Sequence, residues 1–125
     1  MIKKIATEKA PTAIGPYSQA AVVGNIVFTS GQIPINSESG NIDATDVKGQ
    51  TEQVMKNLGE VLSAAGTSFE NAIKTTCFLN DIADFASFNE VYAKYFTEKP
   101  ARSCVAVKDL PKGALVEVEV IALIK

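Results

Sequence analysis

The sequence predicts an α+β domain: a mixed β-sheet with two helices packed on one of its faces. Three observations lead there. Two segments carry apolar residues at helical spacing, while several shorter ones alternate at period two. The order runs strands, helix, strand, helix, strands, with no repeat, low-complexity tract or linker across residues 1–125, which are expected to form a single domain. The last strand has one wholly apolar face and one that mixes apolar bulk with two carboxylates, so a single helical layer leaves half of the sheet uncovered.

Ile2 to Ile5 reads as a short first strand. Thr7 to Ser18, with Pro11, Gly15 and Pro16, reads as an ordered irregular segment, because prolines fix φ and interrupt pairing. Ala20 to Val23 and Ile26 to Thr29 flank Gly24-Asn25, whose composition suits a two-residue hairpin loop. Asn36 to Asp43 is an exposed turn by composition. Asp46 is a good N-cap for a helix whose stripe is Val47, Thr51, Val54, Leu58, Val61 and Ala65, and Gly66 is its stop. Gly49 and Gly59 inside that helix are expected to mark close packing against the sheet.

Ile73 to Leu79 is a strand with Ile73, Thr75, Cys77 and Leu79 on one face. Asp84 is the expected cap of a second helix reaching Phe96. Its aromatic stripe, Phe85, Phe88, Tyr92, Tyr95 and Phe96, reads as core. Pro100 to Val107 reads as a buried strand, and Ala114 to Ile124 as the last one. On that last strand Val116, Val118, Val120, Ala122 and Ile124 suit a helix-covered face. The opposite face carries Leu115, Glu117, Glu119, Ile121 and Leu123, which suits a subunit interface with polar clefts, the first hint of a homo-oligomer.

Composition narrows the chemistry. With no histidine, a Ser-His or Cys-His nucleophile pair and a histidine-ligated metal site are excluded. No glycine-rich phosphate loop occurs. Cys77 and Cys104 show no metal or redox spacing, so no metal is expected and a reduced, cytoplasmic setting fits. A net charge of −2 with a single arginine gives no field or basic patch for nucleic acid. No apolar run marks a membrane span or an export signal.

The single arginine, Arg102, shares one strand face with Cys104 and Ala106. A guanidinium there needs an anionic partner, either a protein carboxylate such as Glu117 or Glu119 or the carboxylate of a ligand. Cys104 beside it is either a thiol of lowered pKa or a small buried hydrophobe. Tyr17 either bonds a ligand or covers a cleft. Ser30-Gly31 either offers backbone N–H groups to an anion or is an ordinary strand-end turn.

Several separated stretches, in order, resemble a known family. They are Ala13-Ile14-Gly15-Pro16-Tyr17-Ser18-Gln19, Thr29-Ser30-Gly31-Gln32-Ile33-Pro34, Asn80-Asp81-Ile82 with Phe85 and Asn89, and the run from Pro100 to Val118. Together they are similar to the RidA/YjgF family of imine deaminases, and the resemblance covers essentially the whole chain. It implies a chorismate-mutase-like fold and a homotrimer with active sites in clefts between subunits. It also implies hydrolysis of 2-imino acids (2-iminopropanoate, 2-iminobutanoate), released by pyridoxal-phosphate dehydratases, to 2-keto acids and ammonia, without cofactor or metal. By the same resemblance Arg102 grips the substrate carboxylate, Glu117 positions or activates water, and Tyr17, Ser30, Gly31, Asn89 and Cys104 line the pocket. One departure is the short Thr97-Glu98-Lys99 connection, where many relatives carry a longer loop bordering the site. Rival readings are a non-catalytic trimer that binds 2-keto acids or regulates a partner, an RNA-directed translation inhibitor, and a chaperone.

Overall fold

The computed structural model describes residues 1–125. Six strands form one mixed sheet in the order β1-β2-β3-β6-β4-β5. Strands β1 (Ile2–Ile5), β2 (Ala20–Val23) and β3 (Ile26–Thr29) make an antiparallel meander, with the β2–β3 turn at Gly24-Asn25. Strand β6 (Val116–Leu123) lies antiparallel between β3 and β4 (Ala72–Leu79), and β5 (Ala101–Ala106) runs parallel to β4 at the sheet edge.

Helix α1 (Val47–Ala65) starts where Asp46 accepts a hydrogen bond from the Gly49 N–H at 2.8 Å. It ends at Gly66, whose φ of 91° closes the C-terminus in the left-handed region. Helix α2 (Phe85–Tyr95) lies against α1 on the same sheet face. Between helices and sheet sits the core: Val54, Met55, Leu58, Val61 and Leu62 from α1, Phe88 and Tyr92 from α2, and Val116, Val118 and Val120 from β6. No helix is long and apolar enough to cross a membrane.

The structure corrects several local expectations. Strand β5 is not buried: it is an edge strand whose residues alternate between exposed and half-buried, because nothing pairs beyond it. β-Branched residues mark a strand, not its depth. Asp84 stands at the N-cap position of α2, as expected, but its side chain makes no capping hydrogen bond. Instead the Asp81 carboxylate accepts from the Ala83 N–H at 2.9 Å and caps the short 3-10 turn Ile82–Asp84 that leads into α2. Ile73 leaves the face it was assigned and is exposed, because the β4–β6 register shifts between Ala72 and Lys74. The two helical glycines do not meet the sheet: Gly59 faces the Phe69 ring, and Gly49 faces Asp46 and Ala44.

Candidate active site

The candidate residues divide into two groups on opposite faces of the sheet. In register, Arg102 stands beside Thr75 and Cys104 beside Cys77, so both point to the helix-covered face. Glu117 stands beside Phe78 and Glu119 beside Thr76, which puts both carboxylates on the uncovered face. One chain therefore holds its arginine and its two β6 carboxylates apart, with the sheet between them.

The arginine group is built where the edge strand meets α2. The Arg102 Nη1 donates to Asn89 Oδ1 at 2.7 Å. Its Cζ lies 4.8 Å from the centroid of the Tyr92 ring and 5.4 Å from that of Phe85. Tyr92 is itself fixed, its hydroxyl 2.8 Å from Thr75 Oγ1 in the core. The chain's two ion pairs, Lys48–Glu90 and Lys94–Glu52, do not include Arg102. The proposed pairing with Glu117 or Glu119 is thus not made within the chain, and part of the guanidinium fork remains available. Phe85 and Tyr92, read from sequence as core aromatics, form the seat of this cation, with Phe85 partly exposed. Cys104 is half-buried beside it. Burial pushes its thiol up, and Arg102 only partly opposes that shift, so the lowered value is not realised.

The carboxylate group forms an open cleft of about 430 Å³ on the other face, where Tyr17, Ser30, Gly31, Glu117 and Glu119 meet beside Ile14. Gln19 orders the irregular segment that carries Tyr17. Its side chain is buried, accepts from the Thr7 N–H at 2.6 Å and donates to the Pro11 carbonyl at 2.8 Å. The Ser30 N–H is already bonded to the Gln19 carbonyl, and its hydroxyl donates to the Ser18 carbonyl, so Ser30 offers the cleft no free backbone donor. The Gly31 N–H makes no hydrogen bond within the chain. Burial raises the Glu117 pKa above the ordinary carboxylate value, and the neighbouring Glu119 charge raises it further.

Gly31 is required by close approach. A Cβ built there would stand 2.8 Å from Glu117 Cδ and would overlap its carboxylate oxygen. Gly31→Ala is therefore expected to swing Glu117 away and to cost about 10²-fold in any turnover that depends on that carboxylate. Steady-state rates beside a thermal melt of the variant measure this, and an unchanged rate would show that the position of Glu117 does not matter.

Residues 7–124 match the family model described as Endoribonuclease L-PSP. A 2-iminobutanoate/2-iminopropanoate deaminase of Escherichia coli is 47% identical over 127 residues, covering 98% of each chain. The chain belongs to the RidA/YjgF family. Other members of this family carry other names. A Lactococcus lactis protein, 50% identical over 99% of both chains, bears a regulator's name, AldR. Among solved family structures, Escherichia coli TdcF with bound serine superposes with a TM-score of 0.93 at 45% identity, covering 98% of this chain and 99% of that one. The RidA/YjgF fold is thus the one found here, six strands and two helices, and the names within the family include deaminases of small imino acids.

Proposed function

We propose that the protein hydrolyses small 2-imino acids to 2-keto acids and ammonia. The observation that carries this reading is an arginine clamped by Asn89 and two aromatic rings but paired with no carboxylate of its own chain. A guanidinium so held is prepared for the planar carboxylate of a ligand. The relative named as a deaminase of 2-iminobutanoate and 2-iminopropanoate supplies the ligand class.

An imine carbon is already electrophilic, so the reaction needs a held substrate, a placed water and a proton carrier. In this reading Arg102 holds the carboxylate and Asn89 orients the guanidinium. Glu117, with its raised pKa, takes a proton from water as the oxygen adds to the imine carbon. It returns that proton to the nitrogen to give a carbinolamine, then carries the carbinolamine's hydroxyl proton to the same nitrogen, so that the carbonyl forms as the carbon–nitrogen bond breaks and ammonia leaves the keto acid. Tyr17, Ser30, Gly31 and Cys104 line the pocket, the Gly31 N–H facing the oxygen of the adduct. No step requires a metal or cofactor.

The separation of the two groups supports a cyclic homotrimer, in which Arg102 of one copy faces the Glu117 cleft of the next. Exposed apolar residues on the uncovered sheet face, Val23, Phe28 and Val105, suit burial in such an assembly. Pyridoxal-phosphate dehydratases are the reaction class that would supply the imine.

A coupled assay tests this. A threonine or serine dehydratase generates the imine in situ, semicarbazide traps what persists, and the protein is added at catalytic concentration. Faster keto-acid release with less semicarbazone is expected. No change in either, with 2-ketobutyrate still binding by calorimetry, would establish the keto-acid-binding, regulatory reading instead.

A further inference from the structure

Cys77 and Cys104 are far apart in sequence but are direct partners across the parallel β4–β5 ladder. Both are free thiols, and both point to the helix-covered face. Adjacent strands lie about 4.8 Å apart, within the Cα separation of about 4.4–6.8 Å that a disulfide spans. The two thiols differ in access: Cys77 is fully buried, and Cys104 is half-buried beside Arg102. Strand β5 is held by one neighbour only, so it can shift slightly to bring the sulfurs together. The Cys77 thiol donates a hydrogen bond to Thr75 Oγ1 at 3.9 Å, which fixes its place in the core.

We propose that Cys104 and Cys77 form an intrachain thiol pair that a hydroperoxide converts to a disulfide. Cys104 Sγ attacks the peroxide, the S–O bond forms as the O–O bond breaks, and the displaced oxygen leaves as water once protonated. Cys77 Sγ then attacks the Cys104 sulfenic acid, the S–S bond forms, and the hydroxyl leaves as a second water with the Cys77 proton. Two thiols and one peroxide thus give one disulfide and two waters. Burial raises both thiols, Cys77 to about 12, so the pair is slow at neutral pH and faster in alkali. The bond would lie beside Arg102 at the exposed edge of the sheet, where dithiols reach it and reverse it. The oxidation needs no deaminase turnover, although Cys104 also lines the pocket of that reading.

The experiment treats the full-length protein with hydrogen peroxide at pH 8.5 and reads intact mass and peptide maps. A loss of 2 Da per chain, a Cys77–Cys104 linked peptide and full reversal by dithiothreitol are expected. In Cys77→Val, whose side chain suits the same buried site, the 2 Da loss is expected to vanish and Cys104 to gain one or two oxygens. In Cys104→Ser, Cys77 is expected to stay reduced because no solvent reaches it. Oxygen adducts without a 2 Da loss in the parent protein, a Cys104-linked dimer, or no reaction at all would each overturn the proposal. Because the readout is mass, failure here leaves the deaminase reading untouched, and a deaminase assay that fails leaves this one untouched.

Discussion

Replacing Arg102 with Ala is expected to lower kcat/KM for imine hydrolysis by about 10²–10⁴-fold. The figure follows from two charge-assisted hydrogen bonds to a carboxylate, each worth about 1.5–3 kcal/mol, and from tenfold in rate per 1.4 kcal/mol. The loss will appear in both KM and kcat, because an unanchored imine also loses its alignment to the water. Arg102→Lys will recover only part of it: an ammonium keeps the charge but neither the planar fork nor the stacking on Tyr92 and Phe85. The fold is expected to survive, since Arg102 sits on an edge strand and makes no ion pair. A rate for Arg102→Ala within a few-fold of the parent, at unchanged melting temperature, would remove Arg102 as the anchor.

The elements were legible from the sequence because each rests on a local signal. Asp46 and Gly66 bound α1 as capping chemistry requires, and Gly24-Asn25 turns the hairpin. What alternation along one strand does not carry is the relation between strands. It placed Arg102 with Cys104 on one face and Glu117 with Glu119 on another, but not which faces coincide. That depends on the β6-β4-β5 neighbours and their registers, which set Arg102 beside Thr75 and Glu117 beside Phe78. The same long-range pairing hid the Cys77–Cys104 register, which no sequence spacing announces. Edge position was equally hidden, so β5 looked buried. The seat of Arg102 was missed for a subtler reason: an aromatic stripe at helical spacing normally means core, and Phe88 and Tyr92 obey that rule, but Tyr92 also presents its ring to the cation and Phe85 is exposed beside it. A lone arginine with an Asn and two aromatics on the preceding helix was the available signal.

Glu117→Gln is expected to lower kcat by about 10²–10⁴-fold, the range of a general base, while keto-acid binding persists. Stability should move the other way. Burial raises the Glu117 pKa, so the folded state binds its proton more tightly than the unfolded one. Stability therefore falls as pH rises from the ordinary carboxylate value through the raised one, and above that window the buried charge is a standing cost. Glu117→Gln removes the charge and should melt no lower than the parent above this window, with the difference closing in acid. Activity of the parent should fall as pH drops through the same raised value, because the base must be ionised. Mixing the two variants then isolates the geometry. If Arg102 and Glu117 act from different copies, a trimer containing both Arg102→Ala and Glu117→Gln chains holds one intact Arg102–Glu117 pairing among its three clefts. Random reassembly of equal amounts leaves about three quarters of trimers mixed, so about one quarter of parental activity should return from two inactive preparations. No recovery, with mixed trimers demonstrated by native mass spectrometry, would mean that the two residues act within one chain or do not act together. The sheet that separates them in each chain argues for recovery.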